Sequence, residues 1–509
     1  MKKTISIFFI FIAATNFVKA QDGSLDLSFG ISGKVLTTFG SIADYGRALK
    51  LQSDGKIIVS GSIDNSTFNF AVARYKVNGT LDSTFSADGR ANADFGLTND
   101  YNTSCAIQSD GKIILAGYTY ISGVNYNASL VRFNGDGSLD NSFDSDGKLT
   151  TSLEIWEDYI YTIALQADGK ILIAGSSSNG IDLDFAIARL NSDGSFDTSF
   201  DLDGKLFIDL NGNDDEIFAM VVQPDNKILI AGYSLLVSGY DFAIVRLNSD
   251  GSLDNSFDFD GKATTSVGVN ADFGRALTLQ ADGKILLAGS TNNPTADFGV
   301  VRYNTNGSLD LTFDVDGKAT FDLGSSNVDD ARGIVTQTDG KFVIAGSSFD
   351  GTDQLYGMIR CNSDGSLDNV FDSDGIVTTD FGFGNNNGYA LDIQTDGKIV
   401  VAGESYNGFN WDFSLARYNG ASIGIQEINS TSSLNLFPNP SNSSINLSST
   451  KSLNKASIKI IDLTGQVILF QQNASGNNFT FDISNFSNGL YFLEVNEEGN
   501  FERVKFVKE

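Results

Sequence analysis

The residues with the clearest potential for chemistry are aspartate pairs that stand two positions apart, immediately before a glycine. Closely spaced carboxylates ahead of a turn glycine are oxygen donors of the kind that hard cations such as calcium prefer. The pairs are Asp144 and Asp146, Asp201 and Asp203, Asp258 and Asp260, Asp314 and Asp316, and Asp372 and Asp374. A calcium-binding loop of this kind usually carries a glutamate ligand at its twelfth position, and none follows here. Aspartate side chains also hydrogen-bond to the backbone of their own turn without any metal. The pattern therefore predicts either calcium ligands or structural turns, with no cofactor required.

A second set of acidic residues stands ten positions before a recurring Asp-Gly-Lys turn. Its members are Asp44, Asp100, Asp158, Asp215, Asp272 and Asp329, with Asn386 in the last copy. Loops of variable sequence nearby contain aromatic residues, among them Tyr118, Tyr240, Tyr356, Tyr406 and Trp411. Aromatic faces beside carboxylates suit sugars or peptide surfaces. The alternative is that the aspartates accept hydrogen bonds from loop backbone.

One copy of the repeat contains an insertion of its own, with carboxylates that break the repeat pattern, namely Glu154, Glu157 and Asp158. A glycosidase needs two carboxyl groups about 5–10 Å apart across a cleft. Neighbours in one loop give no reason to expect that separation. A secreted carbohydrate-active enzyme is therefore an alternative to a binding protein, and a purely structural surface protein is a further one.

The composition excludes several classes of function. The chain has 34 Lys and Arg against 63 Asp and Glu, a formal charge of −29, and no histidine. So acidic a surface repels phosphate backbones, so that we expect no nucleic-acid partner. The absence of histidine removes the usual general base of neutral pH and the commonest zinc ligand.

The elements that position these residues belong to a repeat of about 57 residues. The Asp-Gly-Lys turn begins at Asp54, Asp110, Asp168, Asp225, Asp282, Asp339 and Asp396, with Asn in place of Gly in the fourth copy. Short alternating runs bounded by Gly, Asn and Asp predict four strands in each repeat. The first copy contains only the end of a repeat and the last copy only its beginning. We therefore predict a closed, all-β, seven-bladed β-propeller whose N-terminal strand completes the last blade.

An arginine precedes an aspartate by eight residues in each repeat, which predicts a charge-assisted pair across the long turn. The predicted pairs are Arg74 with Asp82, Arg132 with Asp140, Arg189 with Asp197, Arg246 with Asp254, Arg302 with Asp310, and Arg360 with Asp368. Arg417 and Asp26 remain, at opposite ends of the repeat region. We expect them to form the pair that closes the ring.

The chain is predicted to have four parts. Residues 1–20 have the charged, apolar and small-residue order of a secretory signal peptide. Residues 21–420 are the propeller, residues 421–433 are a linker of small and polar residues, and residues 434–509 read as a small β-sandwich. No later segment has the ~18 uninterrupted apolar residues that a transmembrane helix needs.

Two resemblances follow from these motifs. Segments such as Leu279-Gln280-Ala281-Asp282-Gly283-Lys284-Ile285 resemble the delta-60 repeat of secreted bacterial proteins. That resemblance covers about residues 22–420 and implies a β-propeller without an assigned catalytic activity. It leads us to expect a binding or interaction scaffold for a glycan or protein, and not an enzyme.

The C-terminal segment is similar to the type A sorting domain of the Bacteroidetes type IX secretion system. The similarity rests on Pro438-Asn439-Pro440, Leu463-Thr464-Gly465, Gly489-Leu490-Tyr491 and the basic end Arg503-Val504-Lys505-Phe506-Val507-Lys508. It implies that the secretion machinery is a partner of this domain. It also implies export through the outer membrane, followed by release or attachment at the cell surface.

Overall fold

The computed structural model describes residues 21–96, 98–121, 125–237, 239–292, 295–324, 328–420, 434–462, 467–497 and 500–509. The predicted signal peptide and the predicted linker lie outside these residues. The chain divides into two compact units between Ser422 and Ile423. The described residues contain no helix with the length and apolar character needed to span a bilayer.

The N-terminal unit consists of seven four-stranded antiparallel sheets, here called blades 1 to 7. Blade 1 contains β2 (Ala43–Leu51), β3 (Ile57–Asp64), β4 (Phe68–Tyr75) and β5 (Arg90–Ala93); blade 2 contains β6 (Asp100–Ile107), β7 (Ile113–Ile121), β8 (Asn125–Phe133) and β9 (Lys148–Thr151); blade 3 contains β10 (Asp158–Leu165), β11 (Ile171–Ser178), β12 (Leu183–Leu190) and β13 (Lys205–Ile208); blade 4 contains β14 (Asp215–Val222), β15 (Ile228–Leu236), β16 (Gly239–Leu247) and β17 (Lys262–Thr265). Blade 5 contains β18 (Asp272–Leu279), β19 (Ile285–Asn292), β20 (Ala296–Tyr303) and β21 (Lys318–Phe321); blade 6 contains β22 (Asp329–Thr336), β23 (Phe342–Phe349), β24 (Gln354–Cys361) and β25 (Ile376–Thr379); blade 7 contains β26 (Asn386–Ile393), β27 (Ile399–Tyr406), β28 (Trp411–Tyr418) and β1 (Lys34–Thr37).

The two ends of the repeat region meet in blade 7. The N-terminal strand β1 pairs antiparallel with β28, with Thr37 opposite Phe413 and Lys34 opposite Ala416. The Arg417 guanidinium lies 2.8 Å from the Asp26 carboxylate, and both side chains are buried. The predicted all-β propeller, closed by its first strand, is therefore confirmed.

The three sequence markers of the repeat meet in one group of side chains, which we call the turn cluster. In blade 4 the Arg246 Nε donates to the Asp254 Oδ2 at 2.6 Å, and the Lys227 ammonium of the preceding turn lies 2.7 Å from the same oxygen. The guanidinium stacks 4.7 Å from the Phe257 ring centre. It also donates to the Thr305 carbonyl of the next blade. The cluster therefore ties each turn to its neighbour.

All seven predicted Arg–Asp pairs form in this way, at 2.6 to 2.9 Å from Arg Nε to Asp Oδ2. Hydrogen bonds from Ser28, with Lys398 and Arg417, outweigh burial and hold the pKa of Asp26 at about 2. Blade 6 departs from the pattern, because Nη1 of Arg360 is buried without a hydrogen-bond partner. That blade adjoins the one that the N-terminal strand completes.

The hydrophobic core lies between blades. One buried cluster joins Ile58 and Val72 of blade 1 to Cys105 and Leu115 of blade 2, and similar clusters follow around the ring. The turn before each second strand needs a positive φ, which glycine supplies with φ 81° at Gly55. In blade 4 Asn226 takes φ 65°, which asparagine tolerates better than most residues. This explains the single Asp-Asn-Lys variant.

The C-terminal unit has five strands: β29 (Leu434–Phe437), β30 (Ser444–Ile461), β31 (Val467–Asp482), β32 (Gly489–Glu497) and β33 (Asn500–Lys508). The long strand β30 pairs with β29, β31 and β32, and β32 pairs with β33. Irregularities in the β30–β31 register let the sheet fold around a core that includes Ile445, Ile458, Leu493 and Phe506.

Candidate functional site

The aspartates that begin the innermost strand of blades 1 to 6 are fully buried, with no exposed surface. One carboxylate oxygen of each accepts a backbone N–H five or six residues earlier in the chain. The donors are Phe39 to Asp44, Phe95 to Asp100, Leu153 to Asp158, Leu210 to Asp215, Val267 to Asp272, and Leu323 to Asp329. None of the six has a carboxylate surface exposed at the rim, and the predicted binding of a ligand by these aspartates stays a prediction. They hold the loop between blades, as the alternative interpretation states.

Three positions after each of these residues the inner strand carries a β-bulge. In blade 5 the register shifts between Gly274 and Ala276, so that Arg275 has no partner on β19. The same shift occurs in the inner strand of every blade. A bulge re-aims the side chain of the extra residue. The unpaired residues are Arg47, Thr103, Tyr161, Phe218, Arg275, Arg332 and Tyr389.

All seven bulge residues line one cavity of about 490 Å³ on the propeller axis. Small residues follow them in the wall, such as Ala48, Ala219 and Ala276. A cavity of about 300–1,000 Å³ is the usual size of a small-molecule pocket. The bulges thus turn one side chain from every inner strand toward the same cavity.

Aromatic rings from blades 7 and 1 to 5 lie along this cavity, at the end where the inner strands begin. Neighbouring ring centres are 4.5 to 6.5 Å apart in an unbroken series, which we call the aromatic arc. In chain order the arc comprises Tyr45, Phe68, Tyr101, Tyr118, Tyr159, Tyr161, Phe218, Tyr233, Phe273, Tyr406 and Trp411. Most of these rings keep part of their surface exposed.

The three arginines of the cavity differ in their partners. Arg47 lies 2.6 Å from Glu404, and Nε of Arg332 donates to Asp330 at 2.6 Å. Arg275 forms no ion pair within the described part of the chain, and its Nε is buried without a hydrogen-bond partner.

The guanidinium of Arg275 stacks 4.1 Å from the Phe218 ring centre. Burial and the neighbouring Arg332 lower its pKa. Burial also raises the pKa of Glu216, which accepts a hydrogen bond of 2.8 Å from Tyr233 nearby. Arg275 is therefore a cation held by aromatic faces, with donor capacity free for an anion.

The predicted aromatic residues divide in two. Tyr118, Tyr406 and Trp411 belong to the arc, and Tyr240 lies against it, 5.2 Å from Tyr233. Tyr356 does not: it is 1% exposed, and its hydroxyl lies 2.6 Å from Ser414 between blades 6 and 7. Its position on the third strand turns it into the core, which corrects that prediction.

The paired aspartates before the turn glycines occupy exposed turns. The first aspartate of each pair adopts positive φ, for example 42° at Asp258. The second accepts a backbone N–H two residues on, as Asp260 does from Lys262 at 2.9 Å. The other second aspartates, Asp146, Asp203, Asp316 and Asp374, do the same. Calcium at these turns stays a prediction.

The carboxylates of the blade-specific insertion also have local partners. Asp158 accepts from Leu153 and from the Ser177 hydroxyl, at 2.8 and 2.6 Å. Glu157 accepts from the Tyr159 hydroxyl at 2.9 Å.

The bulge residues that line the axial cavity were not predicted from the sequence. Six of the seven bulge residues are aromatic or charged, and each stands three positions after the first Asp of its inner strand, or after Asn386 in the last copy. Only the bulge turns that position toward the axis.

The repeat segments match a family model across all seven blades. The model describes a domain of unknown function (DUF5122) β-propeller, and it matches residues 52–85, 108–143, 166–200, 223–257, 280–313, 337–371 and 394–420. The chain belongs to the DUF5122 β-propeller family. Residues 435–509 of this DUF5122 protein match the secretion system C-terminal sorting domain. The sorting domain marks the protein for secretion and attachment at the cell surface, and it makes the type IX secretion machinery a partner.

Solved structures with a similar fold include several enzymes. A catalytically inactive virginiamycin B lyase from Staphylococcus aureus with quinupristin has 12% identity and a TM-score of 0.45, covering 75% of this chain and 98% of that one. A polysaccharide lyase, Uly1, has 11% identity and a TM-score of 0.43, covering 80% and 94%. A gluconolactonase from Xanthomonas campestris has 10% identity and a TM-score of 0.33, covering 79% and 99%. No curated protein matches the sequence.

These structures correct one prediction. The expectation that the DUF5122 protein is not an enzyme is contradicted, because lyases and a lactonase are among the propellers that it resembles. The fold therefore does not exclude catalysis.

Proposed function

We propose that this secreted propeller binds a glycan that carries acidic groups, in the axial cavity lined by the seven bulge residues. The observation that supports this most directly is the convergence of all seven bulges on one cavity beside the aromatic arc. A repeat that served only the scaffold would place the same residue type at every bulge.

The chemistry of the lining favours a sugar over a protein surface. Tyrosine and phenylalanine rings offer flat apolar faces for sugar C–H groups, while tyrosine hydroxyls donate and accept hydrogen bonds. The cavity of about 490 Å³ is concave and suits the end of a chain of sugars. A folded protein partner would need an interface of about 800 Å² on each side.

The charge of the lining favours an acidic sugar. The protein is strongly acidic overall, yet three arginines point into this one cavity. Arg47 and Arg332 have carboxylate partners at 2.6 Å, whereas Arg275 has none among the described residues. A planar guanidinium suits a carboxylate or sulfate group, which it can bind through two parallel hydrogen bonds.

A glycan array probed with the purified full chain tests the proposal. We expect binding to oligosaccharides with carboxylate or sulfate groups. The variant Arg275→Gln is expected to weaken that binding by about 10- to 100-fold and to shift preference toward neutral glycans. The control is Phe259→Ala, since Phe259 is 95% exposed on a turn remote from the bulges. Equal binding by the Arg275→Gln protein and the unmodified protein would contradict the proposal.

A second candidate function is an acid–base reaction on the bound glycan. It is favoured by Glu216, whose pKa is raised by burial and which lies near Arg275 and against the Tyr233 hydroxyl. A carboxyl group with a raised pKa suits general acid or base work near neutral pH. New reducing ends formed from a bound polysaccharide, and lost in Glu216→Gln, would support this candidate.

A further inference from the structure

Three positions meet wherever one blade of the propeller packs against the next. They are the third-strand residue five positions before the repeat arginine, the residue after the fourth strand, and the residue three positions before the bulge of the following inner strand. At the junction of blades 3 and 4 all three are aspartates, Asp184, Asp209 and Asp215. At the junction of blades 5 and 6 they are Asp297, Asp322 and Asp329. In each trio, one carboxylate oxygen from every residue lies within 4.8 Å of the others.

Other junctions show what the repeat does with two carboxylates. At the junction of blades 4 and 5 the middle position, with Asp241 and Asp272 as the other two, is Ser266, whose hydroxyl donates to the Gly268 carbonyl at 3.1 Å. At the junction of blades 7 and 1 the middle position, with Asp412 and Asp44 as the other two, is Thr38. A hydroxyl can donate to a carboxylate, but an ionised aspartate cannot. Asp209 and Asp322 therefore replace a donor with a third acceptor.

The trios leave carboxylate oxygens unpaired. Oδ2 of Asp215 accepts from the Leu210 backbone at 2.7 Å, and Oδ2 of Asp329 accepts from the Leu323 backbone at 2.8 Å. Among the described residues, Oδ1 of each has no hydrogen-bond partner within normal geometry, and neither aspartate has any exposed surface. The nearby hydroxyls of Ser234 and Ser348 partly offset the effect of burial on the pKa of Asp215 and of Asp329. Asp184, only 8% exposed, also has an unpaired Oδ1, and so does Asp297.

Unpaired oxygens also occur at Asp100 and Asp412, but only two carboxylates meet at those junctions. No Lys or Arg of the described chain forms an ion pair with any of the six aspartates in the trios. Each trio thus concentrates three acidic groups, one of them fully buried, without an ion pair among the described residues. At the first trio the Lys262 ammonium donates to the Asp209 backbone carbonyl at 2.8 Å and forms no ion pair with the described carboxylates there. Burying unpaired charge is costly, and the usual remedies are protonation or a bound cation.

We propose that each of the two trios binds a calcium ion between adjacent blades, so that one protein chain holds two. Three carboxylates supply oxygen ligands only, which is the donor set of a hard divalent cation. Calcium suits these sites better than magnesium, because calcium accepts irregular geometry and sheds its water more readily.

Calorimetric titration of the full chain with calcium chloride, after removal of metal with EDTA, tests the proposal. We expect two ions per chain and a rise in Tm of at least about 3 °C at saturating calcium. The variants Asp209→Ser and Asp322→Ser copy the natural arrangement of Ser266, so each is expected to fold and to remove one site. The double variant is expected to show neither binding nor the rise in Tm.

Two further variants keep the outcome decisive. Asp94→Ser alters the corresponding position at the junction of blades 1 and 2, where Asn69 replaces the first aspartate, and it should leave both ions bound. Asp209→Asn keeps the side-chain volume while removing the charge, so that loss of one ion in this variant cannot be assigned to a packing defect. Absence of binding in the unmodified chain, or two ions retained by the double serine variant, would overturn the proposal.

Discussion

The turn cluster of each blade uses the same four residue types, Arg, Asp, Lys and Phe, in all seven copies. The bulge of each inner strand uses Arg, Thr, Tyr or Phe, depending on the blade. Both positions recur at the same place in every repeat. The turn cluster is buried and joins neighbouring blades, whereas the bulge residues face an open cavity. The positions that keep the same residue type in every blade are therefore those that hold the ring together. The positions that vary from blade to blade are those that face the cavity, where we propose that the ligand binds.

The largest effect should come from breaking the turn cluster that closes the ring. Arg417→Met leaves the buried carboxylate of Asp26 with only Lys398, 3.1 Å away, as an ion-pair partner. We expect a loss of about 3–5 kcal/mol in the free energy of unfolding, which is typical when one partner of a buried pair is removed. Calorimetric melting would measure the loss.

The matched control for this variant is Arg503→Met in the sorting domain, where the arginine is 53% exposed beside Glu494. An exposed pair contributes about 0–1 kcal/mol. If both variants melted alike, the turn cluster would not be what holds the ring closed.

The next largest effect concerns the bulge positions and should appear in binding instead of stability. Phe218→Ala removes the ring under the Arg275 guanidinium and breaks the aromatic arc. We expect glycan affinity to fall by about 10- to 100-fold, since stacked rings of this kind contribute about 1–3 kcal/mol. Titration of a bound glycan from the array would measure the change. A fall in Tm with unchanged affinity would assign Phe218 to the scaffold.

An intermediate effect concerns pH and the buried aspartates of the blade junctions. Burial raises the pKa of Asp100, Asp215 and Asp329 to about 6 in the folded protein, above the ordinary value of 3.8. The folded state therefore binds these protons more tightly than the unfolded state, so stability should rise as pH falls from 8 through 6.

Below about pH 4 the trend should reverse. The pKa of Asp26 is lowered to about 2 in the folded protein, so its contribution is lost as pH falls toward that value. Melting in EDTA across pH 3 to 8 should show maximal Tm between about pH 4 and 6. A Tm that falls steadily from pH 8 to pH 5 would contradict the assignment of these aspartates.

The smallest effect should come from the exposed turns. Asp260→Asn keeps an acceptor for the Lys262 backbone N–H, so we expect a change below about 0.5 kcal/mol. The same protein should bind as much calcium as the unmodified chain, if the ions occupy the trios between blades. Loss of an ion in Asp260→Asn would instead support calcium at the turns.

Much of the scaffold could be predicted from the sequence, because its signals repeat. The eight-residue spacing from Arg to Asp predicted six of the pairs. The incomplete first and last copies predicted the seventh pair, Arg417 with Asp26, and the pairing of Thr37 with Phe413. The site could not be predicted in the same way. Side-chain alternation does not reveal a bulge, so the position of Arg275 and Tyr161 gave no sign of pointing to the axis. The prediction for Tyr356 was wrong because its place next to a variable loop suggested an exposed side chain, whereas its side chain lies on the third strand and points into the core.

The central claim is that turn clusters hold the ring and bulge residues bind the ligand, and one paired measurement tests it. The melting temperature and the affinity for an acidic oligosaccharide would be measured for Arg246→Met and Arg275→Gln in the full chain. We predict that Arg246→Met lowers the Tm and leaves affinity unchanged below its melting range, while Arg275→Gln lowers affinity and leaves the Tm unchanged. Both properties shifting together in either variant would contradict the account.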